Sequence, residues 1–150
     1  MTELVAEVGL AHEGSLGLAH SYIDLAASIH LDTIKFQMHI ADQESSHLEN
    51  FRINFSYQDR NRFEYWDRTS FSIDEWAQLI KHAETKKLNF LISPFSIKAI
   101  DLINKLGLDR LKIGSAETID DLFIEYALKY NFEYIISDGF SDEKILEIIK

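Results

Sequence analysis

Apolar positions along the chain follow two alternating patterns. Short runs dense in Val, Ile, Leu and Phe span Glu3 to Val8, Thr33 to Phe36, Asn89 to Ser93, Arg110 to Gly114 and Glu133 to Ser137, and predict strands. Between them, Leu18, Tyr22, Ala26 and Ile29 share one helical side after a Gly14-Ser15 entry. Trp76, Leu79, Ile80 and Ala83, then Ile100, Ile103 and Leu106, then Leu122, Tyr126 and Tyr130 predict further helices. Start and stop signals agree with that division. Ser72-Ile73-Asp74-Glu75 is a capping box, Ser96 caps the next helix, and Gly107 ends it. The Asp120-Asp121 pair suits the positive end of a helix dipole, Pro94 stops the third strand, and Ser141-Asp142-Glu143 opens a last helix. Only the stretch from Met38 to Phe71 lacks a period. Its length and its mix of charged and aromatic residues predict a lid or binding loop.

Strands alternating with helices predict an α/β fold with a parallel sheet, either doubly wound or a β/α barrel. The turn Gly9-Leu10-Ala11-His12-Glu13-Gly14 lacks the middle glycine of a dinucleotide fingerprint, and no nucleotide-hydrolase phosphate loop is present. Each strand ends in a chemically capable residue, which favours the barrel over a sheet with one switch point. The expectation is a partial TIM-type (β/α)8 barrel of about five βα units, about three short of a closed ring.

Lys35 and Gln37 interrupt the second strand and Lys112 the fourth. An ammonium buried without a counter-charge costs several kcal/mol, so lysines in two such strands predict an anion between them. Ser93, Ser115 and Ser137 add hydroxyl donors at the same ends of the strands. The plainer alternative is a lysine head that escapes to solvent at the sheet edge. Glu7 could face a substrate or pair with Lys35 across adjacent strands. Glu117, just past Gly114-Ser115-Ala116, is better placed for substrate. His12 and His39 are the only plausible metal pair among the histidines, and loop histidines are more often plain surface residues. Trp76 most simply packs in a core, and the Tyr65-Trp66 neighbourhood could cover a ligand or partner.

Charge narrows the field. Among 150 residues, 25 acidic against 15 basic side chains give a formal charge of -10, which opposes general binding to nucleic acid and makes any anion site local. With no cysteine, disulfides and thiolate metal sites are excluded. No apolar run approaches membrane-spanning length, and the Met1-Thr2-Glu3 start lacks the basic opening of a secretory signal, so a cytoplasmic location without membrane contact is expected.

The segments Ala6-Glu7-Val8-Gly9-Leu10-Ala11-His12-Glu13-Gly14-Ser15-Leu16, Lys35-Phe36-Gln37, Ser93-Pro94-Phe95-Ser96, Lys112-Ile113-Gly114-Ser115-Ala116-Glu117 and Ser137-Asp138-Gly139 resemble, in order and spacing, the N-acetylneuraminate synthase (sialic acid synthase) family and its spore-coat polysaccharide relatives. The resemblance implies a β/α barrel that condenses phosphoenolpyruvate with an N-acyl amino sugar such as N-acetylmannosamine, releasing phosphate. It implies phosphoenolpyruvate contacts for Lys35, Ser93, Lys112, Ser115 and Ser137. It implies sugar contacts for Glu7, Gln37 and Glu117, with Glu7 and Glu117 as the catalytic carboxylates and Glu117 as the proton-transfer group. A divalent metal, Mn or Mg, is implied too, with histidine ligands in later barrel strands outside this chain.

Against that pattern residues 1–150 resemble an N-terminal portion of the barrel, with the remaining strands and the antifreeze-like C-terminal domain absent. Ala11 stands where asparagine is usual, Ser93 for threonine, and Ala116 for glycine. Asp138-Gly139-Phe140 replaces threonine-glycine-methionine, and an inward Asp138 would repel phosphate. Two other readings compete. One is an aldolase in which Lys112 forms a Schiff base. The other is a non-catalytic half-barrel that binds a sugar phosphate or a partner chain. An open parallel edge would also favour a homo-oligomer.

Overall fold

In a computed structural model that describes residues 2–137, β1 (Val5–Gly9), β2 (Thr33–Met38), β3 (Asn89–Pro94), β4 (Arg110–Ile113) and β5 (Glu133–Ile136) form one parallel sheet in that order. The helices are α1 (Leu16–Ser28), α2 (Ala41–Glu44), α3 (Arg62–Thr69), α4 (Ile73–Thr85), α5 (Ile97–Lys105) and α6 (Asp121–Ala127). Each strand lies beside its sequence neighbour, so successive right-handed crossovers step the same way and place their helices on one face. That winding belongs to a β/α barrel, not to a doubly wound sheet whose order reverses. The helix expected from Ser141-Asp142-Glu143, and Asp138 itself, lie outside the described residues.

Alternation along each strand divides the sheet into two faces. Ile34, Phe36, Phe90, Ile92, Leu111 and Ile113 meet the helices and form the apolar core, which includes Trp76 as expected. The helices start where their caps predict. Ser72 and Glu75 complete a reciprocal capping box, Ser96 accepts from the Ala99 N–H, and Asp120 accepts from the Phe123 N–H.

Two helices present a different side from the one the periodicity predicts. In α1 the buried residues are Ala19, Ile23 and Ala26, whereas Leu18 and Ile29 are exposed. This helix is apolar on two sides. The side with smaller residues lies against the core, and the bulkier Leu25 and Ile29 border an apolar cleft of about 240 Å³ beside β1. In α6 the buried residues are Phe123, Ile124 and Ala127, and Leu122 is exposed. Tyr126 and Tyr130 instead donate their hydroxyls to Asp101 of α5, at 2.9 and 2.7 Å.

The stretch from Met38 to Phe71 is not a structureless loop, since it contains α2 and α3. Asn61 caps α3 by accepting from the Glu64 N–H, a start signal within the aperiodic sequence. Arg68 of α3 then pins the segment to the turn after β1. It bonds both carboxylate oxygens of Asp59 at 2.8 and 2.7 Å, and the Glu13 carbonyl at 2.9 Å and carboxylate at 3.0 Å. Gly14 lies directly under the Arg68 carbonyl with a φ of 78°, so any side chain there would be strained and would collide with that backbone.

A second long-range tie crosses the amino-terminal end of the sheet. Glu3 receives a bidentate bond from Arg110 at 2.9 and 3.0 Å and a further bond from the Thr33 hydroxyl. It therefore joins the segment before β1 to β2 and β4. Arg110 and Thr33 together hold the Glu3 carboxyl at a pKa of about 2, below its ordinary 4.5.

Two outcomes are expected. Because the Glu3 pKa is depressed by folding, its contribution is full above the ordinary value and fades as pH falls toward about 2. Glu3→Gln is expected to cost about 1 kcal/mol near neutral pH, after allowance for solvent screening, and the gap from wild type in pH-dependent thermal melts should close below the ordinary value. A gap that persists unchanged under acid would remove Glu3 as its source. Among the described residues β1 and β5 each pair on one side only, and Leu4, Leu25, Ile29, Leu122 and Leu128 are exposed. The chain by itself is therefore expected to self-associate in sedimentation velocity, and a compact monomer would contradict this.

Candidate active site at the carboxyl ends of the strands

The face opposite the helices carries the polar strand residues, and the register aligns them. Glu7 lies opposite Lys35, Lys35 opposite Leu91, and Gln37 opposite Ser93. Ile92 pairs with Leu111, so Ser93 and Lys112 are the next residues along these two neighbouring strands, and Lys112 lies opposite Ile135. Five of the predicted site residues, Glu7, Lys35, Gln37, Ser93 and Lys112, thus share one face of four adjacent strands.

Lys35 is only 3% exposed, and its Nζ lies 2.8 Å from the Glu7 carboxylate. Its counter-charge is thus within the sheet. The expectation that this lysine lacks one is corrected, and the cross-strand reading of Glu7 is the one the geometry shows. Burial lowers the Lys35 pKa, Glu7 opposes the shift, and the charge of Lys112 adds to it. The two lysines therefore sense each other across β3. Glu7 remains half open to solvent, at 54%, so one side of the pair faces outward from the sheet.

Gly9 sits between Glu7 and Gln37. A Cβ there would lie 3.3 Å from Gln37 Oε1 and 3.7 Å from Glu7 Oε1, and its φ of 57° favours glycine. The turn that follows is closed by Ala11, Glu13 and Ser15 backbone bonds, and His12 Nδ1 accepts the Gly14 N–H at 3.1 Å.

The remaining predicted residues lie one level higher on the rim. Ser137 follows β5 and donates its N–H to the Ile113 carbonyl at 3.0 Å, beside Gly114. Ser115 follows Gly114, and its carbonyl accepts the Thr118 hydroxyl at 2.8 Å. Glu117 opens a 3-10 turn, Glu117–Ile119, and folds back so that its Oε2 packs on Gly114. That oxygen is buried without a protein partner. Burial is the main cause that raises the Glu117 pKa. A carboxyl so placed keeps its proton more readily and has an oxygen free for a ligand.

The two histidines considered as a metal pair have different surroundings. His12 is fully buried, stacks on Phe71 at 4.5 Å, and is held near a pKa of about 4 by burial. His39 Nδ1 is occupied by Glu44 at 2.6 Å. No group of three or more His, Asp or Glu among the described residues could hold a metal ion. No helix among the described residues is long and apolar enough to cross a membrane.

The His39–Glu44 contact is the feature that sequence reasoning missed. It lies at the start of the aperiodic stretch, where no spacing rule marks it. Trp66, considered as a cover for a ligand, is buried and stacks on His39 at 4.9 Å.

Comparison with known proteins places this geometry. The profile of the NeuB family matches residues 22–149, and the chain belongs to that family. It is 28% identical over 144 residues to the N,N'-diacetyllegionaminic acid synthase of Campylobacter jejuni, covering 94% of this chain and 43% of that protein. To the human N-acetylneuraminate-9-phosphate synthase it is 26% identical over 161 aligned residues, covering 98% and 43%. The crystal structure of the N-acetylneuraminic acid synthetase from Leptospira borgpetersenii superposes with a TM-score of 0.81 at 24% identity, covering 99% of this chain and 49% of that one. This last likeness bears on the fold alone. The chain spans less than half the length of each of these proteins.

The asymmetry of the Lys35–Glu7 pair yields an expected outcome. Glu7→Gln leaves an ammonium buried without its charge partner and should cost about 1 to 3 kcal/mol in urea denaturation, the lower values reflecting Glu7's exposure. Lys35→Met removes the buried charge and should be neutral or stabilising. The reverse ranking would show that Lys35 is not the desolvated member.

Proposed function

We propose that this chain supplies the phosphoenolpyruvate-binding rim, and a proton-donating carboxyl, of a synthase. The reaction condenses phosphoenolpyruvate with an N-acyl amino sugar and water to give a nine-carbon acidic sugar and phosphate. The observation that carries this reading is Lys35, buried beside Glu7, with Lys112 near enough to act on its charge. Gln37 and Ser93 share their face in a chain of the NeuB family.

Chemistry explains those residue types. Phosphoenolpyruvate carries a carboxylate and a phosphate on three carbons, so it needs more than one cation and several donors at fixed angles. Lys35 and Lys112 supply the charge, while Ser93, Ser115 and Ser137 supply hydroxyls. Glu7 keeps Lys35 charged and aimed within an otherwise apolar sheet. Carbon 3 of the donor attacks the open-chain sugar aldehyde, and negative charge gathers on the aldehyde oxygen. Glu117, whose pKa burial raises, donates a proton to that oxygen. Water adds at carbon 2, and the phosphate departs. Gln37, against Gly9 and Glu7, is placed to bond the sugar. A divalent metal that activates the aldehyde would draw its ligands from elsewhere, and none of these steps is assigned to it.

Isothermal titration of the 150-residue chain with phosphoenolpyruvate tests the rim directly. Binding is expected to weaken tenfold or more in Lys35→Met and again in Lys112→Met, about 1.4 kcal/mol or more for each. Equal affinity in wild type and both variants would refute the assignment.

A further inference from the structure

On the helix side of the sheet, away from Lys35 and Lys112, two histidines meet between α1 and α4. His20 of α1 and His82 of α4 face each other Nδ1 to Nδ1 at 2.8 Å, their ring centres 4.9 Å apart and the rings inclined by 50°. Asp24, one turn further along α1, reaches His82 Nε2 at 3.2 Å and the Lys86 Nζ at 2.6 Å. Lys86 is the residue that caps the end of α4. The His82 side chain keeps 21% of its surface exposed, so the contact is sheltered but within reach of protons from solvent. None of these four side chains belongs to the proposed anion-binding face.

Two ring nitrogens at this distance need one hydrogen between them. Asp24 fixes which ring supplies it. The carboxylate accepts from His82 Nε2–H, so in the neutral pair His82 presents a lone pair at Nδ1 and His20 Nδ1–H donates to it. One added proton preserves the contact. The bridging hydrogen passes to His82 Nδ1, the incoming proton takes His20 Nε2, and the charge rests on His82 beside Asp24. A second proton has only His20 Nδ1 left to take. Two N–H groups and two like charges would then face each other across the helix interface, and the bond is lost.

We propose that His20 and His82 form an acid-released latch between α1 and α4, closed when the pair carries no added proton or one and open when it carries two. The charged groups that act on His20 are His82 across the interface and Asp24 on its own helix. Burial, then the charge of His82, lower the His20 pKa from its ordinary 6.5, and Asp24 opposes them. Lys86 acts one step away, by holding the Asp24 carboxyl below its ordinary value and so keeping it ionised. Because the folded-state pKa of His20 lies below the ordinary value, the latch contributes fully above 6.5 and is lost as pH falls through the lower, folded-state value. Helix α1 leads from β1 to β2, and α4 leads into β3. Release would therefore loosen the crossovers behind the strands that carry Glu7, Lys35 and Ser93.

The experiment is a double-mutant cycle of His20→Gln, His82→Gln and the double variant, read by urea denaturation of the whole chain at pH 8 and at pH 5. At pH 8 each single variant should lose nearly all that the double variant loses. At pH 5 that shared loss should fall by about half or more. The other histidines are common to all four proteins and cancel in the cycle. Plain packing of the two rings would give the same coupling at both pH values. That result, or no coupling at pH 8, would overturn the proposal. If a variant does not fold, carbon-13 NMR of the wild-type histidine rings, assigned through their bonds to the backbone, decides instead. His20 should titrate below its ordinary 6.5, and titration at or above that value would overturn the latch.

Discussion

An ammonium buried within a parallel sheet is the constraint around which this face is arranged. Lys35 can stay there because the β1–β2 register sets Glu7 directly opposite, 2.8 Å away. The pairing does not make the site inert. Glu7 opens to solvent on one side, and the charge of Lys112 reaches Lys35 across an intervening strand. Two cations that repel each other, with one carboxylate between two demands, favour the arrival of an anion. Ser93 lies on the strand between them, in register with Gln37, so these donors are already oriented when that anion arrives.

The segment above the face is held as firmly as the face itself. Arg68 joins it to the turn after β1, and His39 stacks between its Trp66 and the Phe95 that follows β3. Gly14 is the point of closest approach, where the absence of a side chain lets the Arg68 carbonyl settle on the turn. At the other end of the sheet, the Glu3–Arg110 bond fixes the segment before β1 against β4. Such bonds, distant in sequence, set the relative placement of strand ends that carry only one or two useful atoms each.

Much of the strand and helix order was legible because the physics is local. Caps such as Ser72 with Glu75, and Ser96, act within one turn, and Pro94 ends a strand wherever it occurs. Lys35, Gln37 and Lys112 were legible because polar residues in apolar strands carry a cost that chemistry must offset. The inward side of α1 was not, because the helix is apolar on two sides and only the neighbouring α4 and sheet select between Ala19 and Leu18. The Tyr126 and Tyr130 hydroxyls likewise depend on Asp101, a partner on another helix. The His39–Glu44 pair and the capped helix α3 lay in the aperiodic stretch, where structure comes from stacking and ion pairs that hydrophobic spacing does not record.

The account stands on convergence of Lys35 and Lys112 upon one anion. Nitrogen-15 NMR of the lysine ammonium groups, with signals assigned by single Lys→Met variants and followed during addition of phosphoenolpyruvate, reads this most directly. The Lys35 and Lys112 resonances should shift together and saturate at one ligand concentration, while Lys81 and Lys98, which lie on the helices, stay in place. Shifts confined to the helix lysines, or separate saturation of the two strand lysines, would contradict a shared site.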